Sequence, residues 1–165
     1  MVGTAIEPLV TAVFQINDQQ YALPVAEVRE VVRVPALLTI AGAPPVVCGL
    51  LNLRGSYLPV IDGRRLVGAP PHISLASQIV IAGIAEDTRA DRPVLGLLVD
   101  HVLAVRSYAP EQCVPIDQRG AEPFLRAVLR GPDGAALLCD LAELRRLAPA
   151  VDYGAIPASG APRPL

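Results

Sequence analysis

The chain has 165 residues, enough for one domain or two small subdomains sharing a core. Its formal charge of -2, its lack of Trp and its few aromatics exclude the basic, aromatic-studded surface that binds nucleic acid. Hydrophobic residues make up 52% and charged residues 18%, so a sizeable core is expected, built from Val, Leu, Ile and Ala because only two Phe and four Tyr are available.

In chain order, residues 1–9 show no period and read as a tail. Residues 11–17 and 21–25 are apolar runs around the polar turn Asp18-Gln19-Gln20, a hairpin pattern. A short helix is expected over 24–30. Further strand-like runs fall at 31–34, 46–53 and 57–61, the last two broken by Gly55-Ser56 in hairpin fashion. Runs at 78–83 and 94–99 flank a polar loop at 86–92, and a turn is expected at 123–126. Residues 127–129 and 135–139 flank Gly131-Pro132-Asp133-Gly134, a strong turn signal. Residues 141–147 read as a helix with Asp140 as N-cap and Glu143 at the capping-box position. Residues 149–165 hold four of the seventeen prolines and read as a Pro/Ala-rich tail that adds little core. The folded part therefore spans about 10–148. Many short strands with Gly/Pro turns and a few short helices predict an all-β barrel or sandwich.

An internal repeat supports barrels. Residues 21–31 resemble 95–105, with Val25, Val28 and Val31 matching Val99, Val102 and Val105. Leu53-Arg54-Gly55 resembles Leu129-Arg130-Gly131, and each is followed by an apolar strand closing on Asp62 or Asp140. A period of roughly 75 residues is too long for a solenoid unit and fits two similar small barrels.

Catalytic patterns are missing. His72 follows two prolines in a loop, and His101 is expected on the exposed side of 99–105. Glu86-Asp87 reads as a solvated pair in the charged loop. No Gly-x-Ser-x-Gly, phosphate loop or His-Glu-x-x-His occurs, so nucleophile, base and orienter are not visibly assembled. Cys48, Cys113 and Cys139 are odd in number and lack ligand spacing, which argues against disulfides and zinc and for small buried hydrophobes. No signal peptide is legible at the N-terminus, and the apolar runs fall short of the ~18 residues of a membrane span. A cytoplasmic protein without direct membrane insertion, metal or cofactor is expected.

One stretch is more specific. Residues 44–62 read Pro-Pro-Val-Val-Cys-Gly-Leu-Leu-Asn-Leu-Arg-Gly-Ser-Tyr-Leu-Pro-Val-Ile-Asp. This resembles the CheW family of chemotaxis coupling proteins, whose hallmark is Gly, two apolar residues, Asn-Leu-Arg-Gly and an apolar strand closing on Asp. Val28-Arg29-Glu30, Gly96-Leu97-Leu98-Val99-Asp100-His101-Val102 and the strand at 137–141 match in order. The chain departs at Asp62-Gly63-Arg64, where the family usually has Leu after the Asp. The extra glycine is expected to loosen that corner by about 0.5–1 kcal/mol if it is helical.

The resemblance implies two SH3-like five-stranded β-barrel subdomains, intertwined around a shared hydrophobic core. It implies a non-catalytic adaptor that docks chemoreceptor cytoplasmic tips and the regulatory domain of a chemotaxis-type histidine kinase. It places Val28, Glu30 and Val105 on a receptor-facing groove, with Arg54 as a contact beside them. Asn52 is expected to bond local backbone at the bend, and Gly49 and Gly55 to serve the backbone itself. From the residues alone, the alternative for Arg54 is an exposed strand-end arginine or a brace on a carboxylate within the fold, and the alternative for the valines is core. The competing function is a ligand-binding or regulatory β-barrel module with a pocket between its subdomains. An enzyme of another type is a third.

Overall fold

The computed structural model describes residues 6–83 and 94–148. The loop expected at 86–92, most of the first tail and the whole of the second lie outside the described residues. The elements run β1 (Leu9–Ile16), β2 (Gln19–Pro24), β3 (Val28–Arg33), β4 (Val47–Leu53), β5 (Ser56–Asp62), α1 (Gly63–Leu66), β6 (Gln78–Ala82), β7 (Leu95–Val99), β8 (His101–Tyr108), β9 (Cys113–Pro115), β10 (Leu125–Gly131), β11 (Gly134–Cys139) and α2 (Leu141–Leu147). They form a six-stranded sheet, β8-β1-β2-β11-β10-β9, and a five-stranded sheet, β3-β6-β7-β5-β4.

The two halves of the chain exchange strands. The first gives hairpin β1–β2 to the larger sheet and β3, β4 and β5 to the smaller. The second gives β6–β7 to the smaller sheet and β8 to β11 to the larger. Each sheet carries one parallel ladder, β2 with β11 and β5 with β7, where Ala22 faces Leu138 and Gly96 faces Val60. Ala22 and Gly96 are repeat partners in the sequence, so the repeat is a real equivalence of β2–β3 with β7–β8. The helix starts agree as well. Asp62 Oδ1 accepts from the Arg64 amide at 3.0 Å, and Asp140 Oδ1 accepts from the Ala142 amide at 2.9 Å. The hairpin tips do not agree: Arg54 and Gly55 form the β4–β5 turn, whereas Arg130 sits inside β10 opposite Ala135.

Chain length curls both sheets. From Arg33 at the end of β3 the chain reaches Leu38, which bridges to Leu50 on the free edge of β4. From Tyr108 at the end of β8 it reaches Cys113 on the free edge of β10. In a flat sheet these points would stand about 24 Å apart at roughly 4.8 Å per strand, yet five residues extend at most about 18 Å. Each sheet therefore wraps into an incomplete barrel. Tyr108 accordingly lies against Gly131 at the far end of β10, where an added Cβ would stand 3.3 Å from its ring. The sixth strand of the larger sheet, β9, has the Leu38–Leu50 bridge as its counterpart in the smaller.

Three apolar clusters follow. Val13, Ala22, Tyr108 and Leu129 fill the curl of the larger sheet. Leu51, Leu58, Ile79 and Leu98 fill that of the smaller. Phe14, Leu23, Ile61, Leu97 and Leu144 lie between the sheets and under α2. That middle cluster is the shared core, and it makes the two curls one domain.

Three local expectations are corrected and one turn is kept. The helix at 24–30 is only a 3₁₀ turn, Val25–Glu27, because Val28, Val31 and Val32 enter the ladder with β6. The turn expected at 123–126 is present at Pro123-Phe124, where the Leu125 amide donates to the Glu122 carbonyl at 3.0 Å, and β10 begins at Leu125. β8 and β9 extend beyond the sequence reading. Gly63 does not loosen its corner: it is buried, and a Cβ there would meet the Leu98 carbonyl oxygen at 2.5 Å and Ile16 Cδ1 at 2.7 Å. The α1–β7 contact is closer than any side chain permits.

Candidate partner-docking site

The β4–β5 turn has two residues, Arg54 at φ 50° and Gly55 at φ 87°, between the paired Leu53 and Ser56. Left-handed backbone suits glycine and costs another residue about 1–2 kcal/mol. Arg54 is held there by its neighbours, since Asn52 Oδ1 accepts the Gly55 amide at 2.9 Å across the turn. The turn aims the Arg54 side chain toward β3, where Nη2 meets Glu30 Oε2 at 2.7 Å. The pair ties the hairpin tip to the edge strand on the opposite side of the curl. The Arg54 side chain remains 74% exposed and that of Glu30 30% exposed, so the pair contributes at most about 1 kcal/mol. Most of the guanidinium fork stays available to a further acceptor.

Of the candidate residues, Arg54, Glu30 and Asn52 come together. Val28 begins the same strand as Glu30 and is half-buried on the rim of the shared core. Val105 stands on β8, the edge of the other sheet, where it is 67% exposed and faces Ala12 in the ladder. A core role for Val105 is therefore ruled out. Gly49 serves the backbone through close approach, because a Cβ would stand 2.9 Å from both Leu37 Cβ and the Leu38 oxygen. Gly55 serves it through its positive φ.

Two features escaped the sequence reading. Val31 on β3 and Leu103 on β8 are also exposed, and Val31 is the repeat partner of Val105. Both edge strands thus present outward apolar side chains, and the inverted alternation of β8 was the available signal. The second feature is a clamp. Arg64 Nε and Nη2 grip Asp100 Oδ1 and Oδ2 at 2.8 and 2.9 Å. The Asn17 amide donates to Asp100 Oδ2 at 2.8 Å, and Arg64 Nη1 donates to the Pro70 carbonyl at 3.2 Å. Burial pushes the Asp100 carboxyl up, but the Arg64 guanidinium and the Asn17 amide outweigh it and hold it below the usual range. This fixes the β7–β8 corner, and hence β8, against α1 and the β1–β2 turn.

Burial pushes Cys48 to about 11 and Cys139 to about 12, and raises Cys113. Among the described residues, no group of three or more His, Cys, Asp or Glu is placed to hold a metal. No helix of the described residues is long and apolar enough to cross a membrane. A cavity of about 230 Å³ opens between α1 and α2, walled by Val46, Leu66, Phe124 and Leu147. Small-molecule sites usually occupy about 300–1,000 Å³.

Known proteins place this arrangement. A family model, the CheW-like domain, matches residues 11–148. The probable chemotaxis protein CheW of Rhizobium etli is 29% identical over 70% of this chain and 74% of its own. The chemotaxis protein CheW of Rhizobium meliloti is 26% identical over 72% of each. The crystal structure of the scaffolding protein TtCheW from Thermoanaerobacter tengcongensis superposes with a TM-score of 0.70 at 25% identity, over 81% of this chain and 90% of that one. With the match running through nearly all the folded residues, the chain belongs to the CheW family.

Proposed function

We propose that the chain is a cytoplasmic chemotaxis adaptor that couples chemoreceptor tips to the regulatory domain of a chemotaxis-type histidine kinase. It is a scaffold and not an enzyme. The observation that carries the reading is the Arg54–Glu30 pair, fixed by a two-residue turn yet open to solvent, on the sheet whose edge strand β3 presents Val31, while β8 at the edge of the other sheet presents Leu103 and Val105. Exposed strand edges with apolar and Arg anchors suit protein docking. The reading predicts that the tagged chain, used as bait in its native cytoplasm at low and moderate salt, recovers both a receptor and a histidine kinase of chemotaxis type. Recovery of neither class contradicts it.

A further inference from the structure

Resting on the docking role above, we propose that Arg64 and Asp100 are positioning residues for it: by pinning the β7–β8 corner they force the bulge that turns Leu103 outward on β8. The ladder between β1 and β8 runs from Leu9–Tyr108 to Gln15–His101, so eight residues of β8 face seven of β1. One residue of β8 must therefore stand unpaired. It is Leu103, because Val13 faces Ala104 while Phe14 faces Val102. Such a bulge re-aims the side chains beside it, and bulges gather at sheet edges, where β8 lies. A ladder without it would set Leu103 opposite Phe14, which is fully buried, and turn its side chain from the exposed face toward the core.

Both ends of the mismatch are fixed. At one end Tyr108 is buried in the curl of the larger sheet. At the other, the Asp100 amide donates to the Gln15 carbonyl at 2.9 Å, and its carboxylate accepts the Asn17 amide together with Nε and Nη2 of Arg64. The bidentate fork is the strongest and most directional of these bonds. Its two side chains are only 19% and 17% exposed, so solvent competes for them weakly. Arg64 comes within reach because Gly63 lets α1 lie against β7, and its Nη1 ties back to the Pro70 carbonyl. Gln78 Oε1 accepts the Val102 amide at 2.9 Å, which holds the strand on the corner side of the bulge. Arg64 thus acts on the docking face through the backbone of β8 and not by touching a partner.

The experiment titrates the full chain against a receptor cytoplasmic tip and a kinase regulatory domain, with amide exchange read in parallel. Arg64→Ala is expected to bind the tip about tenfold more weakly and the kinase domain unchanged. The amides of residues 101–104 are expected to exchange about tenfold faster, while those of β4 and β5 keep their rates. Leu103→Ser is expected to weaken the parent's hold on the tip, but to add less than about twofold once Arg64 is replaced, which independent sites would not do. Asp100→Asn, which keeps an acceptor for the Asn17 amide, carries the same series if Arg64→Ala does not fold. Additive losses, no effect of Leu103→Ser in the parent, or equal weakening of both partners overturns the inference. A parent that does not bind the tip overturns the docking role itself and the inference with it, and that control tells the two failures apart.

Discussion

At Gly49 the determining quantity is a distance. A methyl group there would press on Leu37 Cβ and the Leu38 oxygen at 2.9 Å and break the bridge that closes the smaller curl. Gly49→Ala is expected to cost about 1–3 kcal/mol in a denaturant melt, the range for overpacking; no loss would mean that the loop before β4 yields freely. Glu27 behaves in the opposite sense. Burial raises its carboxyl, Asp140 adds to this, and Arg126 and Arg29 pull the other way. A carboxyl raised in the folded state loses stability as pH rises from its unfolded value, about 4.3, through its folded value. Glu27→Gln is therefore expected to melt higher than the parent at pH 7, with the difference vanishing below pH ~4. An equal or lower melt at pH 7 would show that the arginines dominate. Arg54 shows the limit of reading residues alone, since its sequence fitted both brace and contact. It forms the brace with Glu30 and stays 74% exposed, which only coordinates reveal.

At the scale of elements, the hairpins and the last helix were legible because their signals are local. Gly55, Gly131-Pro132-Asp133-Gly134 and Asp140 each specify backbone within a few residues. The helix expected at 24–30 failed because pairing with β6, some fifty residues away, overrides local propensity. β8 was hard to read because its outward face carries Leu103 and Val105, where alternation predicts polar residues. The caps offer a direct check of equivalence between the two halves. Asp62→Ala and Asp140→Ala are each expected to cost about 1 kcal/mol. A loss at one site only would show that the two helix starts are unequal despite matching hydrogen bonds.

For the whole molecule, the repeat was visible in the valines, while the intertwining of the halves came only with the family resemblance and not from the residues, because sheet order is a non-local property. The Arg64–Asp100 clamp is equally non-local, joining positions 36 residues apart. Asp100 has its carboxyl held low, so its contribution is present above the unfolded value of about 3.9 and is lost as pH falls through the folded value. Asp100→Asn is expected to lose stability at pH 7 and to approach the parent in acid; a constant difference at every pH would rule out the ion pair as its source. The adaptor role proposed above turns on Arg54 as a partner contact. Its most direct test is Arg54→Ala, titrated separately against a receptor cytoplasmic tip and a kinase regulatory domain, with a parallel denaturant melt. A partner contact at Arg54 gives a stability change below about 0.5 kcal/mol, a loss of roughly 2 kcal/mol or more toward the receptor, and little change toward the kinase. Equal weakening of both partners together with a lowered melt would assign Arg54 to the fold and contradict the claim.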